Sequence, residues 1–228
     1  MAKRTKSRAA AVTATPTPPI DMGKLVARMT WPKGRAIHRI HLDLYEADEF
    51  NPGVKGNARF SPIKDAAGAN IPTLYGGDTF QCVAMETVFH DVPFVAGLKT
   101  FDKAKLIGQV ISQVVPTRDL VVADLSSTAL RKLGVERSQL IDTEKDLYPH
   151  TRAWAEAIHT QCPDAEGLCW VSRQDDRSRA VVLFGDRARS ANLKRNAASI
   201  KILSDPDVYT DLLELADRIG VQIVAGKV

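Results

Sequence analysis

Three cysteines in 228 residues, Cys82, Cys162 and Cys169, are too few and too oddly numbered for a disulfide framework, and none stands in a CxxC spacing that would build a zinc site. They fit reduced thiols in a cytoplasmic protein. Long apolar runs are absent as well. Nothing approaches the roughly 20 residues needed to span a bilayer, and "MAKRTKSRAAAVTATPTPP" has no continuous apolar stretch of the kind a secretory signal carries. There is no G-x-x-x-x-G-K-[ST], no G-x-G-x-x-G after a strand and no G-x-S-x-G, which argues against P-loop, Rossmann-cofactor and serine-hydrolase sites. An excess of positive charge is missing outside the first residues. The formal net charge is +4, but Lys3, Arg4, Lys6 and Arg8 supply four of the 31 basic side chains in a segment without acids, so the other 27 face 27 acidic ones. Sequence-independent nucleic-acid binding needs basic groups gathered on one face. The body is therefore not expected to bind nucleic acid, and the arm is the one segment suited to an acidic surface.

What is present is a mixed α+β pattern without strict βαβ alternation or an internal repeat. Residues 1–21 read as a flexible, basic, Pro-rich arm, and residues 22–228 as one domain ending in a strand and a helix. "GRAIHRIHL" reads as an early strand. The long, Gly- and Asn-rich connection after it contains Arg59 beside Phe60, and a loop of that length in a compact domain is disordered or functional. "IPTLYGG" reads as a strand. Thr79–Asp91 reads as a helix with Asp78 as its cap, and "KLIGQVISQVVP" and "DLVVADLS" are β-branched strands. Further elements are a short helix closed by Gly134, a helix over Tyr148–Gln161, a strand pair "GLCWVS" and "SRAVVLFG", a strand "SIKIL" and a helix from Asp205 to Ile219.

Within this frame five side chains stand out: Arg39 in the first strand, Arg59 in the loop, Tyr75 before two glycines, Glu86 in a helix of otherwise core-like residues, and Ser172 at the end of a strand. At 100° per residue Glu86 lies about 60° from Val83, on the flank of the apolar stripe, where it can border a cleft. Taken singly, each has an ordinary reading as an ion pair, a packing tyrosine or a turn serine. His38 and His41 are three apart and point to opposite faces of a strand, so no metal site is expected of them. His90, one turn after Glu86, reads first as an ordinary helix-end histidine.

In their order and local frames, "HRI", "ARFSP", "PTLYGGDTFQCVAMETVFHDV" and "EGLCWVSRQDDRSRAVVLFGDR" resemble the RES-domain family over about residues 34–190. The family is named for its arginine, glutamate and serine. Two departures are Ala58-Arg59-Phe60-Ser61, where many members have Gly-Arg-Phe-Asn, and Gly76-Gly77, where many have Leu-Ala after the tyrosine. The resemblance implies a fold similar to ADP-ribosyltransferases and a toxin of a bacterial toxin–antitoxin pair. Its substrate would be NAD, with inorganic phosphate as co-substrate and no permanently bound cofactor, and its partner an Xre-type helix-turn-helix antitoxin. Self-association into a homo-oligomer stays open.

The chemistry asks for these residue types. Breaking an N-glycosidic bond builds positive charge on the ribose, and a carboxylate held rigidly beside it, Glu86, favours that transition state. Guanidiniums match phosphate oxygens in a planar fork, which suits Arg39 and Arg59 to the diphosphate. Tyr75 offers a ring for nicotinamide, and Ser172 a hydroxyl for a phosphate or ribose oxygen. Expected turnover is NAD phosphorolysis to nicotinamide and ADP-ribose phosphate. The alternatives are ADP-ribosyl transfer to a protein, and a non-catalytic module that only binds a partner.

Overall fold

The computed structural model describes residues 14–226. The four basic side chains of the arm, Lys3, Arg4, Lys6 and Arg8, lie outside the described residues. In chain order the elements are α1 (Met22–Leu25), β1 (Arg28–Trp31), β2 (Ile37–Leu42), β3 (Ile63–Lys64), β4 (Asn70–Ile71), β5 (Thr73–Gly77), and α2 (Phe80–Val83) running into a π-helix (Ala84–Val88). Then come β6 (Lys99–Asp102), β7 (Gln109–Pro116), β8 (Leu120–Asp124), α3 (Ser127–Leu133), α4 (Arg137–Leu140) and α5 (Tyr148–Gln161). The chain closes with β9 (Gly167–Val171), β10 (Arg179–Phe184), β11 (Leu193–Arg195), β12 (Ile200–Lys201), α6 (Pro206–Arg218) and β13 (Val221–Val224). Among the described residues no helix is long and apolar enough to cross a membrane.

Side-chain alternation in "RAVVLF" shows how the sheet is covered. Ala180, Val182 and Phe184 enter one core cluster with Trp154, Ile158 and Trp170, while Val181 and Leu183 enter another with Trp31, Leu74 and Val122. Both faces of this strand are buried. A third cluster joins Ile40 and Ile111 of the sheet to Val83, Val88 and Phe89 and to Leu212 and Leu215 of α6. Helix α5 buries Thr151, Trp154, Ala155 and Ile158, the i, i+3, i+4, i+7 stripe of an amphipathic helix.

The sheet has nine strands in the order β1-β8-β9-β10-β5-β2-β7-β11, with β12 also on β7; every pairing is antiparallel except β8 with β9. Its weak seam is at the centre. β2 pairs with β7 at six positions and β5 with β10 at five, but β2 and β5 share one pair, His38 with Gly77. Beyond it neither strand is in the other's ladder, and a cleft opens between two well-paired halves. Gly76 makes that approach feasible: a Cβ there would lie 2.3 Å from Cγ2 of Ile37 and 2.6 Å from the His38 carbonyl oxygen.

Several details differ from the sequence-based expectations, although the strand in "IPTLYGG" does include Gly76 and Gly77. Both lie within β5, neither has a positive φ, and they serve close packing against β2 and Cys82. The cap of α2 is Thr79, whose hydroxyl accepts from the Cys82 amide; Asp78 instead holds Arg35 at 2.8 Å and the Arg179 amide at 2.9 Å. The helix expected to reach Asp91 ends at Val88, and "SIKIL" contributes only two strand residues. Strands β1, β6 and β13 were not expected; β6 and β13 pair in parallel across about 120 residues of chain, a partnership with no local signature. The last residues of the expected arm lie against the body. The Thr15 hydroxyl donates to the Gln139 carbonyl at 2.6 Å, and Trp154 Nε1 donates to the Pro16 carbonyl at 2.6 Å.

Candidate active site

The cleft at the seam has a volume of about 430 Å³ and draws Arg39 and Ile40 from β2, Arg59 from the following loop, Tyr75 and Gly76 from β5, and Glu86 from the π-helix. That volume falls in the range of small-molecule sites. Four of the five residues singled out from the sequence therefore line one cavity, and the fifth stands directly behind it.

Glu86 owes its place to the extra residue in its helix. The Phe89 amide donates to the Ala84 carbonyl at 3.0 Å, a five-residue step in place of four. Ala84, Met85, Val88 and Phe89 are buried on the core side while Glu86 remains half-buried at the cavity wall. Its Oε1 accepts from the Ser172 hydroxyl at 2.6 Å.

Ser172 is wholly buried and does not line the cavity. Its oxygen accepts from the amides of Gln174 and Asp175, both at 3.0 Å. A hydroxyl has two lone pairs and one proton; with both lone pairs occupied, the proton is directed at Glu86. The strand end itself is held by Arg137, which donates to the Val171 and Ser172 carbonyls at 2.9 and 3.0 Å. Ser172 thus orients the Glu86 carboxylate, and the hydroxyl expected to meet a phosphate or ribose oxygen has its proton and both lone pairs engaged within the protein.

The two arginines are unusual for what they lack. Arg59 is 4% exposed, yet its Nε and Nη2 have no hydrogen-bond partner and it forms no ion pair among the described residues; its guanidinium lies 5.6 Å over the Tyr148 ring. Arg39 donates from Nη1 to the carbonyls of Ala47 at 2.7 Å and Glu49 at 3.0 Å, and its Nε is buried without a partner. Burial pulls its pKa down to about 10, against the opposing pull of Glu49 and Asp48. Buried cationic donors without acceptors are costly unless something supplies the acceptors.

Tyr75 does more than present a ring. Its hydroxyl accepts from the Phe60 amide at 3.0 Å and so fixes the loop that carries Arg59; burial pushes the phenol's pKa upward. Thr151 anchors the same loop through the Arg59 carbonyl, and Phe60 packs edge-on against Trp170 at 5.1 Å. The Tyr75 and Trp170 rings stand 6.4 Å apart at 73° along one wall.

Other lining residues escaped the sequence reading. Trp170 precedes Ser172 by two positions, so strand alternation could have placed it beside the serine. Tyr148 and Lys145 carry no such signal, because they reach the cavity only through the packing of α5 and the turn that leads into it. Lys145 pairs with Asp91 at 2.8 Å, and Lys145 first and then His90 hold the Asp91 carboxyl below its ordinary range. His90 lines the cavity too, with its Nδ1 2.8 Å from Asp91. By contrast, His41 bonds Ser112 at 2.7 Å outside this cavity, and no cluster of three or more His, Cys, Asp or Glu suited to a metal occurs among the described residues. Cys82, Cys162 and Cys169 are buried and free.

Taken as chemistry, the cleft offers two guanidiniums that want anionic acceptors, one carboxylate with no cation on it, and aromatic walls. The family model described as RES domain matches residues 36–205, a span that contains all five residues from Arg39 to Ser172. No curated protein matches the chain.

Proposed function

The chain belongs to the RES-domain family, which is associated with NAD-acting toxins, and from that premise we propose that it cleaves the nicotinamide–ribose bond of NAD by phosphorolysis. The observation that carries this reading is the meeting, in one cleft, of the unpartnered Nε of Arg39, the unpartnered Nε and Nη2 of Arg59 and the Ser172-held Glu86 carboxylate. A diphosphate supplies the missing acceptors, and the carboxylate meets the sugar cation.

In this reading Arg39 and Arg59 hold the diphosphate, and the Tyr75–Trp170 wall takes the flat nicotinamide. Glu86 lies against the nicotinamide ribose. As the C1′–N bond breaks, its electron pair leaves with the pyridine nitrogen and nicotinamide departs neutral. The positive charge left on the ribose is stabilised by Glu86, whose proton-donor partner Ser172 keeps the carboxylate oriented. A phosphate oxygen then forms the new bond to C1′, giving ADP-ribose phosphate. The parted sheet around the cleft is in keeping with a likeness to the ADP-ribosyltransferase fold. A toxin role with a helix-turn-helix antitoxin as partner belongs to the same proposal.

A second reading, transfer of ADP-ribose to a protein, is favoured by one feature. The groove that continues the cavity through His90, Asp91 and Lys145 is bounded by Phe94, which is 83% exposed. Incubating the purified protein with NAD, with and without inorganic phosphate, and following products by mass separates these outcomes. Phosphate-dependent loss of NAD with formation of ADP-ribose phosphate is expected. Loss only when a protein acceptor is added would favour the second reading, and no NAD loss under any condition would sink both.

A further inference from the structure

A second cavity of about 360 Å³ lies beyond Arg39, walled by the chain segment that follows β2. Arg39 is the one residue that lines both cavities. Its Nη1 reaches the carbonyls of that segment, at Ala47 and Glu49, while its buried Nε has no partner. Tyr45, Phe50, Pro52 and Val54 form much of the new cavity's lining, beside Asn51 and the charged Glu49 and Lys55. The Asn51 side-chain oxygen accepts from the Gly53 amide at 2.9 Å, which turns the amide nitrogen into the group left to donate.

The segment is held in place from several sides. Asn51 and Thr73 exchange backbone hydrogen bonds at 2.8 Å, Arg195 grips Glu46 at 2.6 Å and Asp48 at 2.7 Å, and the Ser190 hydroxyl donates to the Asp48 carbonyl at 2.8 Å. The cavity wall is therefore fixed by the protein's own contacts, in keeping with the largely pre-formed character of small-molecule sites.

We infer that this second cavity receives the adenosine half of the dinucleotide, so that one substrate straddles Arg39. The inference rests on the NAD reading above. A diphosphate at Arg39 necessarily has a nucleoside on each side. Glu86 marks the side of the nicotinamide ribose, which leaves the aromatic cavity for the flat, uncharged adenine; base stacking on aromatic side chains and an amide donor to a ring nitrogen are ordinary means of holding one. The groove beside Phe94 is also contiguous with the first cavity, through His90, Asp91 and Lys145. Asp91, Glu144, Lys145 and Arg173 line it beside a single phenyl ring, whereas the second cavity brings Tyr45 and Phe50 together, which suits a purine better.

The test compares wild type with Tyr45→Ala, which removes a ring that is 46% exposed, and Val54→Trp, which fills the cavity from a side chain that is 68% exposed. Both changes leave the core intact. Kinetics with NAD and with nicotinamide mononucleotide, which has no adenosine, should show each variant losing about tenfold of the preference for NAD, carried mainly by KM. Phe94→Ala should leave that preference where it is. A preference unaltered in both Tyr45→Ala and Val54→Trp, in a wild type that does consume NAD, overturns the adenosine assignment and leaves the NAD reading standing. If wild type consumes no NAD, the NAD reading falls, and binding of adenosine monophosphate by calorimetry decides this inference alone. Binding that Val54→Trp weakens about tenfold supports an adenosine site, whereas no binding, or binding indifferent to Val54→Trp, removes it.

Discussion

If Ser172 acts only by orienting Glu86, the two residues must fail together, and a double-mutant cycle exposes this. Glu86→Gln keeps the size of the side chain and removes its charge. At an effective dielectric of about 20, opposite unit charges about 4 Å apart attract by about 4 kcal/mol. The sugar carries partial charge in the transition state, so a loss of about 3–4 kcal/mol is expected, which is about 10²–10³-fold in kcat. Ser172→Ala removes the 2.6 Å donor to Oε1 and also strips the amides of Gln174 and Asp175 of their acceptor. That variant should lose about 2 kcal/mol of stability and about 10- to 100-fold in kcat as the carboxylate is freed. In the Glu86→Gln background, Ser172→Ala should lower kcat little further, while its stability cost persists. Nicotinamide release measures the first quantity and urea unfolding the second. Penalties in kcat that multiply across the two sites would refute the positioning role and mean that Ser172 touches the substrate itself.

Arg59→Leu should stabilise the ligand-free protein by about 1–3 kcal/mol, because it removes a buried cation with unpartnered Nε and Nη2. The same variant should weaken NAD binding by tenfold or more, by about the worth of one charged hydrogen bond; a melting temperature that falls, or rises further on adding NAD as in wild type, counts against the anion role. Burial holds His38 and His41 below the usual value near 6.5, so the unfolded chain binds their protons first as pH falls. Stability from these two is fully present above about pH 6.5 and is lost as pH drops through their lowered folded values. Urea unfolding across pH 7.5 to 5 should show that slope, reduced in a His38→Gln, His41→Gln variant; an equal slope in both proteins would mean other groups carry it. Gly76→Ala places a methyl 2.6 Å from the His38 carbonyl oxygen and should cost about 3 kcal/mol or more, read as a lower urea midpoint; an unshifted midpoint would mean that β2 and β5 can separate freely.

The elements legible in the sequence are those whose cause is local. Helix α5 runs over Tyr148–Gln161 as its apolar spacing indicates, and α3 ends at Gly134 with φ 67°, because stripes and caps depend on residues a few positions apart. The strand pair β9 and β10 was legible for the same reason, since one short turn joins them. Strands β6 and β13 were not, because each is a strand only by virtue of the other. The residue types of the candidate site were also open to reading: two arginines, a tyrosine and a glutamate carry their chemistry wherever they are placed.

Their partnerships were decided elsewhere. Only the folded chain shows that Ser172 has both lone pairs occupied and its hydroxyl donating to Glu86, that the Tyr75 hydroxyl steadies the Arg59 loop, and that Arg39 stands between two cavities. Hydrogen-bond direction and desolvation depend on atoms contributed by segments far apart in the chain, and those meet only when the sheet is assembled. Sequence alone determined which residue types are suited to an anion and to a cation; the single pair between β2 and β5 opened the space on which Arg39, Arg59, Tyr75 and Glu86 converge.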